Sequence, residues 1–197
     1  SIKPLVRKDI YKLKSSHEIK DKVTLLIVGG SQGANIFDKN LKNIIVSISK
    51  KKPIKVIQQT NEKNISSLAE FYTKNQIENK IFSYDINLVG KIQQADLCIT
   101  RSGASTLAEL SIMNTPFIAV PLPNSKDNHQ LENANFYKDN DCCWIVEQKD
   151  FEEKVEDFII SILNNKNDYL NKKENLKKLN YQNTWMNVNQ KILKIIN

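Results

Sequence analysis

VTLLIVGGSQGA, residues 23–34, and DLCITRSGASTLAEL, residues 96–110, repeat one pattern: an apolar run, a turn of small residues, then an amphipathic segment. Such runs read as buried strands, and the segments after them as helices. Small residues let a ligand come close to the backbone. A helix that starts at such a turn aims its free N–H groups and the positive end of its dipole at that ligand. Two of these corners on one sheet predict a site for a doubly charged leaving group such as a nucleotide diphosphate.

Outward from these corners the same alternation continues. VTLLIVGG (23–30), IKVIQQ (54–59), KIFSY (80–84), DLCIT (96–100), PFIAVPL (116–122) and CWIVE (143–147) read as strands. Several are apolar throughout, as a parallel sheet covered on both faces requires. Between them, Phe37, Leu41, Ile44 and Ile48 share a helical face, as do Leu68, Ala69 and Tyr72. Leu107, Leu110 and Ile112 mark a third helix, and Leu131, Ala134 and Tyr137 a fourth. The expected fold class is α/β, a Rossmann-like doubly wound parallel sheet of about six strands. Beyond residue 150 the pattern turns wholly helical. Phe151, Val155, Phe158, Ile159 and Ile162 form one stripe, and Trp185, Val188, Ile192 and Ile195 another on the last helix.

The chain has 197 residues, enough for one domain that buries roughly 70% of its unfolded surface. No apolar run reaches the ~18–20 residues of a membrane span. Ser1 to Lys20 is polar, unlike a signal peptide. The chain opens at SIKPLVRKDI without a methionine, and the expectation is a piece of a longer protein. Cys98, Cys142 and Cys143 make neither a disulfide framework nor a metal spacing, which points to a reducing cytoplasm, with Cys98 in a core strand. The net charge of +7 comes from lysines scattered among asparagines. It reads as a solvated surface, or as attraction to an anionic membrane or substrate. Nucleic acid is not an expected partner, because no binding motif or aromatic-and-basic stripe occurs.

The corners are distinct from better-known phosphate motifs. GGSQGA lacks the third glycine of the dinucleotide fingerprint, and the following strand ends in Gln58-Gln59 rather than an acid. No Lys-Ser/Thr follows as in a P-loop. Ser31 suits a phosphate contact or a helix cap, and Gln32 and Gly33 complete that turn. In the second corner Arg101 closes the strand and Ser102-Gly103 make the turn. Ala104, Ser105 and Thr106 offer first-turn N–H groups. Glu109, a turn and a half on, is placed to accept both hydroxyls of a ribose. PLPNSKDNHQLENA, residues 121–134, leads from the fifth strand into a helix, where His129 and Gln130 can bond sugar hydroxyls. His17 reads as solvated. Asp139-Asn140-Asp141 spells D-x-D but follows a helix without a glycine turn, and reads as a helix end rather than a metal site.

GGSQGA, RSGA-x-T-x-x-E and the K-D-x-x-Q loop, in this order and spacing, resemble the carboxyl-terminal half of glycosyltransferase family 28. These are the bacterial N-acetylglucosaminyltransferases of peptidoglycan synthesis, which have the GT-B fold. The resemblance runs from PLVRKDI to the last helix. It implies transfer of N-acetylglucosamine from UDP-N-acetylglucosamine to lipid I to give lipid II, with inversion and with no cofactor or bound metal. It implies peripheral attachment to the cytoplasmic face of the bacterial inner membrane. It also implies that Arg7 contacts uracil, Ser31 the diphosphate, and Ala104 and Ser105 the α-phosphate through their N–H groups. Tyr84 would cap the nucleotide, the backbone of Asp85 read the uracil edge, Glu109 hold the ribose and Gln130 reach the sugar. His129 stands where many relatives have a glutamine, and Asn61 where a glycine is common.

On this resemblance residues 1–20 form an interdomain leader, 21–180 the donor-binding domain, and 181–197 a helix that packs on an amino-terminal domain. That second domain would supply the acceptor site, the catalytic base and the membrane-facing patch, leaving no catalytic residue in this chain. The alternatives are a stand-alone donor-binding subunit of a split glycosyltransferase, a non-catalytic nucleotide-binding module, and a sugar-nucleotide epimerase. The last would need acid and base residues that the sequence does not display.

Overall fold

Six parallel strands lie in the order β3-β2-β1-β4-β5-β6 in the computed structural model. It describes residues 21–85, 87–123, 125, 128–179, 190 and 193–194, together with Val6 and Ile10, and for residues 31–34 the backbone alone. The strands are β1 (Val23–Val28), β2 (Ile54–Gln59), β3 (Glu78–Phe82), β4 (Leu97–Thr100), β5 (Phe117–Ala119) and β6 (Trp144–Ile145). Helices α1 (Gly30–Ser49), α2 (Ile65–Lys74), α3 (Leu88–Ile92), α4 (Ala104–Ile112) and α5 (His129–Asp139) connect them. Helices α6 (Phe151–Asn164) and α7 (Lys166–Lys178) follow the last strand. All six expected strands and the doubly wound class are present.

Strand geometry explains the two-sided cover. Successive side chains point to opposite faces. Leu25 and Ile27 of β1 therefore join one core with α1, α2 and α6, while Leu26 and Val28 join another with α3, α4 and α5. Val6 and Ile10 are buried in the second core. In the first, Phe37 of α1 meets Phe151 of α6 with ring centroids 5.5 Å apart, and both are fully buried. Outside it, Ser47 donates to Glu156 across the same helix pair.

Some boundaries move for physical reasons. β3 begins at Glu78 and ends at Phe82, because α2 is closed by Gln76 in the left-handed region (φ 59°) and the chain enters the sheet straight afterwards. Tyr84 thus lies in the loop past the strand. On α1 the buried side chains are Phe37, Leu41, Ile45 and Ile48, with Ile44 beside the core, since 3.6 residues per turn shift the stripe by one position. Leu131 was expected on the inner face of α5 and is 41% exposed, while Ala134 and Tyr137 are buried. Cys98, Cys142 and Cys143 are buried free thiols, and burial pushes Cys142 up to about 11 and Cys143 up to about 12. The Trp185 stripe, Arg7 and His17 lie outside the described residues.

Candidate functional site: the carboxyl rim of the sheet

The strand order reverses between β1 and β4, so the two glycine corners come side by side. Val28 is in register with Thr100, and the N–H of Arg101 donates to the Val28 carbonyl at 3.2 Å. In open α/β sheets ligands bind at this switch point, outside the strand ends. Here it opens into a cleft of about 570 Å³. Its lining joins the tips of β1, β2 and β3 with the first turn of α4, through Val28, Gly30, Gln59, Tyr84, Asp85 and Thr106.

The first corner ends β1 with Gly29 at the cap position and Gly30 as the first residue of α1, so Ser31 lies inside the first turn rather than at the cap. Gly30 has φ +64°, which an L side chain rarely adopts. The second corner is built differently. Gly103 is extended at the cap of α4, and Ala104 and Ser105 are exposed on its first turn. Neither helix has an acidic residue in its first turn or a side-chain cap. Both therefore present a positive dipole end and first-turn N–H groups to the rim, although on α1 the Gly30 N–H already donates to Gln59 Oε1.

Arg101 is 7% exposed and is turned under the corner. Its guanidinium donates to the carbonyls of Val120 and Pro121, at 3.0 and 3.3 Å, and to Gln148 at 2.6 Å. It also lies over the Phe37 ring at 5.5 Å. Burial lowers its pKa from the ordinary arginine value. The group ties the ends of β4 and β5 to the segment after β6. Its Nε and the hydroxyl of Ser102 are buried without a hydrogen-bond partner among the described residues.

The third strand tip presents Tyr84, 79% exposed. Its loop is held by Asp85, which accepts from the N–H of Asn87 at 2.7 Å and pairs with Lys91. Lys91 is itself buried over the Phe82 ring, and that burial lowers its pKa. The side chain of Asp85 is thereby occupied, and the residue lines the cleft. Glu109 is half-buried on α4. His129 opens α5 and is exposed, and Gln130 accepts from the N–H of Leu122 at 3.0 Å. Asn133 donates to the Ser102 carbonyl at 3.0 Å, so α5 is pinned to the second corner.

Sequence reading missed the residues that brace this rim. Gln58 is fully buried, donates to Asp38 at 2.9 Å and accepts from the Tyr72 hydroxyl at 2.7 Å. Asp38 also accepts from Thr60 and Asn64. A polar pair ending an apolar strand was the available signal. Asp141 of the D-x-D segment is in the left-handed region past α5 and pairs with Lys172. Among the described residues no three His, Cys, Asp or Glu side chains converge as a metal site would need. No described helix is long and apolar enough to cross a membrane.

The fold and its rim are those of a Rossmann-like α/β domain, and comparison with known proteins narrows the class. The model of the glycosyltransferase family 28 C-terminal domain matches residues 24–185. The chain belongs to that family. It is 46% identical, over its whole length, to the UDP-N-acetylglucosamine--N-acetylmuramyl-(pentapeptide) pyrophosphoryl-undecaprenol N-acetylglucosamine transferase of Pelagibacter ubique (strain HTCC1062), of which it covers 55%. It is 31% identical to the protein of the same name from Wolbachia sp. subsp. Brugia malayi (strain TRS), covering 87% of this chain and 51% of that one. The chain thus spans about half the length of these relatives. The crystal structure of Acinetobacter baumannii MurG shares the fold, with a TM-score of 0.78 at 22% identity over 94% of this chain and 52% of that one.

Proposed function

We propose that this chain is the donor-binding half of an N-acetylglucosaminyltransferase that moves N-acetylglucosamine from UDP-N-acetylglucosamine to lipid I, giving lipid II. The observation that carries the reading is the cleft at the β1/β4 switch point, flanked by two helix starts free of acidic residues. A pyrophosphate fits that electrostatic setting. Preorganised N–H groups stabilise the charge that develops as the sugar–phosphate bond breaks, with no reorganisation at the moment of reaction. The acceptor hydroxyl attacks the anomeric carbon from the opposite side, and the configuration inverts. The names and identities of the relatives support the substrate pair.

In this reading the first turn of α1, Ser31 to Gly33, and the α4 start, Gly103 to Thr106, hold the diphosphate. Tyr84 covers the uracil, the Asp85 backbone reads its edge and Arg7 adds a contact. Glu109 accepts the ribose hydroxyls, and His129 and Gln130 face the sugar. Arg101 and Ser102 serve the same corner from beneath. Residues 1–20 act as leader, 21–180 as the donor domain, and 181–197 as a helix against a partner domain that carries the acceptor site and base. The assembled enzyme works at the cytoplasmic face of the inner membrane as a peripheral protein. The test is calorimetric titration with UDP-N-acetylglucosamine, UDP-N-acetylgalactosamine and UDP-glucose. Selective binding of the first, weakened about tenfold by Glu109→Ala, is expected. Equal affinity for all three, or a Glu109→Ala variant that binds as the parent does, overturns the assignment.

A further inference from the structure

Dinucleotide-binding domains commonly end the second strand with an acid that holds a ribose. Here β2 ends with two neutral amides that the pleat sends to opposite faces. Gln58 turns inward to Asp38 and Tyr72. Gln59 turns across the rim. Its Oε1 accepts from the N–H of Gly30 at 3.0 Å, and its Nε2 donates to the Ser83 carbonyl at 2.9 Å. One side chain thus spans the gap between the first glycine corner and the loop that presents Tyr84. The amide does both jobs at neutral pH, where a carboxylate has no donor and a lysine no acceptor.

We propose that Gln59 is a positioning residue of the cleft, one that locks the diphosphate-facing corner in register with the nucleoside-facing loop. This rests on the donor-site reading above. Gly30 is in the left-handed conformation at the start of α1, and Gln59 holds its N–H. Because that N–H is already taken, the donors left for a phosphate are those further along the α1 turn and at the start of α4. Ser83 directly precedes Tyr84, and Asp85 anchors the far side of the same loop through Asn87 and Lys91. Binding at either end of the cleft is then coupled to the other through one side chain.

The experiment uses the full chain and two variants, Gln59→Leu and Gln59→Glu, with circular dichroism and melting to confirm that both fold. UDP affinity is measured calorimetrically at pH 7.5 and pH 4.5, each variant against wild type at the same pH. Hydrogen exchange at the Gly30 amide is followed by NMR without ligand. Gln59→Leu is expected to bind UDP about tenfold more weakly at both pH values and to exchange the Gly30 amide about tenfold faster. Gln59→Glu keeps the acceptor, so Gly30 exchange stays near wild type. Its carboxylate lacks the donor at pH 7.5, and binding falls about tenfold. With the ordinary carboxyl pKa of about 4.3, about two-fifths of the side chains regain an O–H donor at pH 4.5, and the loss shrinks from about tenfold to about two- to threefold. Relief of carboxylate–diphosphate repulsion would give the same recovery, so the Gly30 exchange rate in Gln59→Leu, which charge on UDP does not move, is what separates positioning from charge. UDP affinity within about twofold of wild type in both variants, or unchanged Gly30 exchange in Gln59→Leu, overturns the proposal. If wild type binds no UDP, the donor reading falls, while the exchange measurement still decides whether Gln59 holds the corner.

Discussion

Gly30 and Gly103 occupy matching corners and ask different things of an alanine. A Cβ on either meets nothing within 4 Å. Gly30 has φ +64°, whereas Gly103 has φ −67°, open to any residue. Gly30→Ala should therefore cost about 1–2 kcal/mol from backbone strain alone, read by denaturant unfolding. Gly103→Ala should leave stability within about 0.5 kcal/mol. Its UDP affinity should nevertheless fall about tenfold, because a methyl group there fills the space a phosphate needs. Unchanged affinity would show that no ligand approaches the second corner closely. At this scale the sequence announced the corners through small residues next to apolar runs. It could not announce that Arg101 turns under the sheet rather than outward, or that Gln59 reaches Gly30 and Ser83. Those depend on side chains that reach partners 19 to 47 residues away in the chain.

Elements were the most legible level, because period-2 and period-3.6 patterns depend on the local chain. β1 and α1 read directly from VTLLIV and the Phe37–Ile48 stripe. β3 was displaced because its start is set by the left-handed Gln76, a turn that the polar run around it does not advertise. Leu131 was misplaced because α5 has a weak apolar stripe, so one leucine could not fix its rotation. Two predictions belong here. Phe37→Ala removes the ring that joins α1 to α6 and lies under Arg101, and should cost about 3–5 kcal/mol. Thermal melting measures it, and a loss under 1 kcal/mol on that scale would mean α6 re-packs freely. Glu78 of β3 sits between Lys22 and Lys55, whose ammonium groups lower its carboxyl to about 2. The folded pKa lies below the unfolded one. Its stabilisation is therefore present above about pH 4.5 and is lost as the pH falls towards 2. The side chain is 49% exposed, so water and salt screen the pairs, and Glu78→Gln should cost under about 1 kcal/mol at pH 7. That cost should be mostly gone by pH 2, vanish below it and shrink in high salt, as acid and salt titrations of unfolding would record.

Across the molecule as a whole, the proposed donor site is one half of a two-domain cleft. On the proposed reading this chain binds and orients the donor, and the acid or base for the acceptor comes from the partner domain. Incubated with UDP-N-acetylglucosamine and lipid I, the isolated chain should bind the first and release no lipid II. Sugar transfer by this chain alone would place the base within it. A partner has limited ways to attach, and the two outermost strands decide which. β3 carries Glu78, Asn79 and Lys80, with Glu78 already paired to two lysines, and β6 is only two residues long. Charged and very short borders resist backbone pairing with another chain. The sheet is thus shielded from lengthening into a continuous intermolecular ribbon, and any neighbour must come to the molecule through loops and helices rather than by adding a seventh strand.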